Sequence, residues 1–142
     1  MFKSVFTFSL LLFSSVIHSE INNAKLLCIP SAAGGVAFYN GKWVGTEFAS
    51  ETKYIANLEN GQLVSVKEFG EPVVSLKDCN GLPNVNSMAC RNNFTMFRLQ
   101  LSNMRFVYVD STGFTTELED NGLPFPSTAV TPNISVGSCE MI

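Results

Sequence analysis

Two Asn-Gly dipeptides, Asn40-Gly41 and Asn60-Gly61, each lie between segments in which hydrophobic and polar residues alternate. Alternation at every second residue is typical of a β-strand with one buried face. Asn-Gly suits a two-residue hairpin turn because both turn positions need a positive φ, which Asn tolerates and Gly adopts freely. The chain is therefore predicted to be all-β after residue 19, built from consecutive hairpins.

The same pattern predicts about eight short strands in a small antiparallel barrel-like meander, since hairpins at regular intervals are typical of small barrels and sandwiches. A barrel is preferred because up-and-down hairpins close most simply into one. Residues 78–93 and 111–133 are predicted to be loops rich in Gly, Pro and Asn. The predicted strands are Ala24–Pro30, Val36–Tyr39, Lys42–Phe48, Thr52–Leu58, Gln62–Phe69, Pro72–Leu76, Phe94–Leu101, Met104–Val109 and Ile134–Cys139.

The N-terminus has the pattern of a cleavable secretory signal. Lys3 precedes an apolar segment from Val5 to Ile17, which ends at the small residue Ser19. That segment is too short to span a bilayer, which needs about 20 apolar residues. We expect cleavage after Ser19, which leaves residues 20–142 as a single all-β domain, located in the periplasm or secreted.

Four cysteines follow the predicted signal, and an even number is typical of disulfides in an exported domain. Three pairings are open. We favour Cys79–Cys90, which closes a short polar loop, and Cys28–Cys139, which ties the first strand to the last. A zinc site is the alternative, but there is no Cys-x-x-Cys pair and the spacings are wide and unequal, so we expect no metal.

The only histidine, His18, lies within the predicted signal. A mature domain without histidine excludes Ser-His-Asp and Cys-His catalysis and histidine-ligated metals. We therefore expect no catalytic residue and no cofactor. Acidic residues outnumber basic ones, twelve to nine, and Lys3 leaves with the signal, so a nucleic-acid-binding surface is not expected either.

One segment of the predicted 111–133 loop is the candidate partner-binding site. Its two prolines hold the backbone extended on either side of a phenylalanine, which lowers the entropy cost of presenting that ring to a partner. An apolar plug under the barrel mouth and a solvated acidic loop are the alternative interpretations. The candidate residues are Leu123, Pro124, Phe125 and Pro126, together with the nearby acidic Glu117, Glu119 and Asp120.

These observations favour an exported, non-enzymatic binding protein whose partner is another exported protein. An inhibitor or immunity protein for an exported enzyme is the sharpest version, and an acidic loop would suit a basic hydrolase of the lysozyme kind. One alternative is a small-ligand carrier with a barrel interior lined by Phe38, Phe97 and Phe106. The other is a carboxylate-based hydrolase using Asp110, Glu117, Glu119 or Asp120.

Several short motifs follow one another in a fixed order along the chain. They are Cys28, Trp43, Phe48, Lys53-Tyr54-Ile55, Cys79, Cys90, Phe97-Arg98-Leu99, Arg105-Phe106 and Ser135-Val136-Gly137-Ser138-Cys139. In this order the whole mature chain resembles an uncharacterised group of short exported bacterial proteins with four cysteines. The resemblance implies bacterial export and a two-disulfide frame, and it brings no catalytic residue, ligand or partner.

Overall fold

The computed structural model describes residues 23–49, 51–82, 86–111 and 132–142, and these form one antiparallel sheet of nine strands. No helix occurs in these ranges. The strands are β1 (Ala24–Tyr39), β2 (Lys42–Glu47), β3 (Tyr54–Glu59), β4 (Gln62–Glu68), β5 (Asp78–Leu82), β6 (Ser87–Arg91), β7 (Thr95–Gln100), β8 (Arg105–Asp110) and β9 (Asn133–Met141).

Eight of the strands form a nearly closed barrel. Their order is β4-β3-β1-β9-β8-β7-β6-β5, so the first strand pairs with the last, and β4 returns next to β5 and β6. Across that seam, the backbone N–H of Leu63 donates to the thioether sulfur of Met88 at 3.1 Å. The predicted all-β meander with two disulfides is confirmed. The ninth described strand, β2, is outside the barrel order and pairs with β1.

Strand β1 is longer than predicted. Pro30 was expected to end it, but the strand continues to Tyr39 through a bulge, because the ladder with β9 shifts between Pro30 and Ala32. A bulge accommodates proline, which has no N–H to give to a ladder. The extra residue, Ser31, donates its hydroxyl to the carbonyl of Val136 at 3.1 Å. The second half of β1 then pairs with β2 as a two-stranded arm.

The prediction of a loop over residues 78–93 was wrong. Strands β5 and β6 form a hairpin there, with Cys79 directly opposite Cys90. The predicted strand Pro72–Leu76 was also wrong, since that segment makes only one isolated bridge, between Leu76 and Val66. The cross-strand disulfide holds residues of low β-propensity in a ladder that their composition alone does not favour.

The barrel interior is filled by side chains from every strand of the barrel. The rings of Phe97 and Phe106 stack with centroids 5.1 Å apart, and both are almost fully buried. Gly137 of β9 makes this packing possible, because a Cβ there would clash with the carbonyl of Ile29 and come within 2.8 Å of the Phe106 ring. Other buried members include Leu26, Cys28, Tyr54, Ala56, Leu58, Leu63, Val66, Leu76, Met88, Cys90, Leu99 and Cys139.

The two ends of the barrel are built differently. At the end we call the upper end, β3 begins at Tyr54, β4 ends at Glu68, β8 ends at Asp110 and β9 begins at Asn133. The arm of β1 and β2 also lies on this side, since Gly35 pairs with Asn133. The lower end is closed by tight turns, including the predicted turn at Asn60-Gly61, where both residues have positive φ.

Candidate functional site

Four large apolar side chains are exposed around the upper end of the barrel, and we call them the rim. Phe69 and Val73, in the connection from β4 to β5, are 61% and 70% exposed. Phe94, just before β7, is 42% exposed, and Ile134 of β9 is 46% exposed. They come from three separate parts of the chain, so a single mobile terminus does not explain them. At the lower end, the exposed large apolar residues are the consecutive terminal residues Met141 and Ile142.

Charged groups also lie at the upper end of the barrel. The side chain of Lys67 donates to the backbone carbonyl of Glu71 at 3.0 Å, and Arg91 forms a 3.6 Å ion pair with Asp78. Both residues of that pair are largely exposed, so the contact contributes little to stability. The rim therefore combines apolar and ionic groups, as protein-binding surfaces do.

A pair of stacked tyrosines lies inside the barrel beneath the rim. The rings of Tyr54 and Tyr108 are 4.7 Å apart and nearly parallel, at 27°. Tyr54 also contacts Phe106, edge-on, and Phe97, each with centroids 5.8 Å apart. The pair therefore joins the polar upper end to the aromatic core.

Both tyrosines are held in the neutral form. Burial raises the pKa of Tyr54 well above its usual value of 10.0, and the neighbouring Tyr108 and Glu68 raise it further. Burial, then Asp110 and Glu68, raise the pKa of Tyr108 to about 12. At neutral pH both hydroxyls are therefore protonated, and neither is suited to act as a general base or a phenolate nucleophile.

The predicted partner-binding residues lie outside the described part of the chain. These are Leu123, Pro124, Phe125, Pro126, Glu117, Glu119 and Asp120. The described chain does fix the two ends of their segment. Ser111 donates its backbone N–H to the carbonyl of Phe94 at 2.8 Å, and the carbonyl of Pro132 accepts from the N–H of Val36 at 3.2 Å. Both anchors lie at the upper end, beside the rim.

The four cysteines pair as predicted. Cys28 is bonded to Cys139 and Cys79 to Cys90. Each pair is directly opposed in its ladder, and the bonds lie on the inner face with the core. Disulfides of this kind are typical of an oxidising compartment.

The residues named for the two alternative functions lie in different environments. Phe97 and Phe106, expected to line a carrier's interior, are core residues packed against each other, and the side chain of Phe38 is outside the described part. Asp110 is the one hydrolase candidate within the described ranges, and it lies at the upper end near Tyr108. In those ranges, no group of three or more His, Cys, Asp or Glu side chains is arranged to hold a metal ion.

The rim and the tyrosine pair were not predicted from the sequence. Phe69 and Phe94 stand at the ends of the predicted strands Gln62–Phe69 and Phe94–Leu101, and the alternation does not show that these two strand ends lie at the same end of the barrel. One available signal was position, because Phe69 stands directly before Gly70, which has a positive φ, and Phe94 lies beside Asn93 in a turn.

Comparison with known proteins gives no relative for this chain: no family model, curated protein or solved structure matches it. Within the described ranges, no helix has the length and hydrophobicity needed to cross a membrane.

Proposed function

We propose that residues 20–142 act as an exported, non-enzymatic binding protein, and more narrowly as an inhibitor or immunity protein for another exported enzyme. The observation that carries the proposal is the rim. Four large apolar side chains, from two connections and from the start of β9, are exposed at one end of an otherwise well-packed barrel. Contiguous exposed apolar groups among polar ones mark protein-interaction sites on soluble domains.

The frame beneath the rim suits this role because it is rigid. The disulfide Cys28–Cys139 joins the first and last strands, and Cys79–Cys90 braces the hairpin of β5 and β6. A surface held in its binding conformation loses less entropy on association. The segment that carries the predicted partner-binding residues follows Ser111 and precedes Pro132, and both of these residues are hydrogen-bonded at the upper end.

The alternatives receive less support from the described residues. A carrier needs interior volume, whereas the centre of this barrel contains the stacked rings of Phe97 and Phe106. A hydrolase needs a carboxylate pair or another base. Asp110 is the one described candidate. The adjacent Tyr54 and Tyr108 are protonated at neutral pH, so neither supplies a base.

The proposal is tested by capture and inhibition. The mature chain is immobilised through its C-terminus, which lies at the lower end, so that the rim stays accessible. It is then exposed to exported proteins of the source cell, and the retained proteins are identified by mass spectrometry. We expect one enzyme to be retained and its purified activity to fall on addition of the mature chain.

Two double variants make the test specific to the rim. Phe69→Ser with Phe94→Ser is expected to weaken retention at least about tenfold, because exposed aromatic anchors dominate many interfaces. Met141→Ser with Ile142→Ser removes side chains of comparable exposure from the lower end and should leave retention unchanged. Equal retention by all variants, or retention without inhibition, would contradict the proposed role.

A further inference from the structure

The outer face of β6, β7, β8 and β9 forms a further surface, which we call the arginine wall, and it meets the rim at Arg91 and Ile134. Three rows of cross-strand neighbours run across it, and each row contains one arginine, contributed by β6, β7 and β8 in turn. The rows are Arg91–Met96–Val109–Ile134, Ala89–Arg98–Val107–Val136 and Ser87–Gln100–Arg105–Ser138.

Strand alternation sets the direction in which these arginines point. Phe97 and Leu99 on either side of Arg98 are fully buried, so Arg98 projects outward between them. Arg105 precedes the buried Phe106 in the same way, and Arg91 follows the buried Cys90. The three side chains therefore form a diagonal across the outside of the barrel.

The composition of the wall differs from that of the rest of the surface. All three arginines of the chain lie on it, and none of the described lysines does. The described lysines are on β1, β2 and β4 or in the connections before β3 and β5. Between the arginines, Met96, Ile134 and Val136 are each more than a third exposed. Enrichment in arginine and methionine with depletion of lysine is typical of protein interfaces rather than of solvent-facing surface.

Two of the arginines form no ion pair within the described part of the chain. Arg91 pairs with Asp78 at 3.6 Å, but Arg98 and Arg105 make no ion pair with any described residue. Arg98 donates through Nε to the hydroxyl of Ser87 at 3.1 Å, which fixes the plane of its guanidinium and leaves the other donors for a ligand. Such a group is suited to bidentate binding of a carboxylate.

We propose that the arginine wall docks an acidic, partly apolar surface of a partner protein, whose carboxylates bind Arg98 and Arg105 while its apolar side chains cover Met96, Val107 and Val136. The chain as a whole is acidic, but this face is basic and is therefore complementary to an acidic partner. The acidic loop residues, in contrast, were expected to suit a basic partner. A protein is the occupant rather than an anionic bilayer, because two unpaired arginines are fewer than the clusters that bind such membranes.

The probe is a short acetylated peptide of alternating leucine and glutamate, and its twin of leucine and glutamine is the uncharged reference. Each is titrated into the isotopically labelled mature protein, and amide shifts are followed by NMR. We expect the acidic peptide to shift amides of β6 to β9, with an affinity that falls as salt is added. The uncharged twin should bind about tenfold more weakly or not at all.

Matched variants separate a specific site from net charge. Arg98→Gln with Arg105→Gln should weaken peptide binding about tenfold, whereas Lys25→Gln with Lys67→Gln makes the same change in charge and should leave binding within about twofold of wild type. Amide spectra of each variant establish that the fold is kept. The rim variant Phe69→Ser with Phe94→Ser should bind the peptide normally, so this proposal and the proposed function can fail independently.

Several results would overturn the inference. These are the absence of binding at millimolar peptide, equal losses in the two charge variants, or amide shifts centred on the rim. Binding to vesicles rich in an anionic phospholipid but not to the peptide would replace the protein partner with a membrane. A dimer in sedimentation experiments that dissociates on Arg98→Gln with Arg105→Gln would replace it with a second copy of the chain.

Discussion

Cys28 and Cys139 lie directly opposite each other in the ladder between β1 and β9, so their disulfide joins the first and last strands of the barrel. The two cysteines are 111 residues apart in sequence, compared with 11 for Cys79 and Cys90. The longer loop has more to lose in conformational freedom when it is cross-linked in the unfolded chain.

The first prediction compares the two disulfides. Replacing Cys28 and Cys139 by serine should lower the free energy of unfolding by about 4–5 kcal/mol, and replacing Cys79 and Cys90 should lower it by about 2 kcal/mol less. Urea unfolding of the two double variants measures both losses. A larger loss from the shorter loop would show that native packing around the bridges, and not chain entropy, sets their contribution.

The second prediction concerns close packing at Gly137. Gly137→Ala should destabilise the fold by about 2–3 kcal/mol, because the new methyl group would be forced against the backbone of β1 and the Phe106 ring. Gly45→Ala is the matched control, since nothing lies within 4 Å of a Cβ at that position of β2. Thermal and urea unfolding of the pair should therefore differ clearly, with Gly45→Ala within about 0.5 kcal/mol of wild type.

The third prediction concerns the seam between β4 and β6. Met88→Leu keeps the volume of the side chain but removes the sulfur that accepts the N–H of Leu63. A buried N–H left without a partner costs about 1–3 kcal/mol, and the amide of Leu63 should exchange with solvent faster. Hydrogen exchange followed by NMR tests this. Met96→Leu, on the outer face of the barrel, should leave the exchange rate of Leu63 unchanged.

The fourth prediction is a loss of stability in alkaline solution. The folded-state pKa values of Tyr54 and Tyr108 lie above the unfolded value of 10.0, so between these values the folded protein binds more protons than the unfolded chain. Their contribution to stability is complete below pH 10 and is lost as the pH rises through about 12. Urea unfolding at increasing pH should show this fall, and Tyr54→Phe with Tyr108→Phe should flatten it. An equally steep fall in the double variant would assign the effect to other groups.

The local features of the fold could be predicted where one residue type has a strong conformational preference. Asn40-Gly41 and Asn60-Gly61 form the expected turns, with φ values of 50° and 76° in the first and 50° and 71° in the second. Cysteine pairing could be predicted because the first and last strands of a closed meander become neighbours. The turns follow from local conformational preference, whereas the pairing of Cys28 with Cys139 follows from the closure of the meander.

The remaining features depend on contacts that the sequence pattern does not contain. Tyr54 and Tyr108 lie on β3 and β8, which are separated by β1 and β9 in the sheet, and their rings meet because the sheet curves into a barrel. The hairpin of β5 and β6 was missed because Gly81 and several asparagines favour a loop locally, while the Cys79–Cys90 bond and the ladders with β7 favour strands. Pro30 was expected to end β1 for the same local reason, and the bulge beside it keeps the strand intact.

Because the first and last strands are paired, the same barrel could also be formed by a chain that begins at a different strand. Ile142 donates its backbone N–H to the carbonyl of Lys25 at 3.0 Å, so the ends of the described barrel are neighbours. Between β4 and β5, in contrast, no ladder joins the described strands. The bridge between Val66 and Leu76 and the hydrogen bond from Leu63 to the sulfur of Met88 cross the seam there. A circular permutant would join residue 142 to residue 23 by a short linker and would have new ends near Val73. It would keep every strand ladder, and its termini would lie at the seam between β4 and β5.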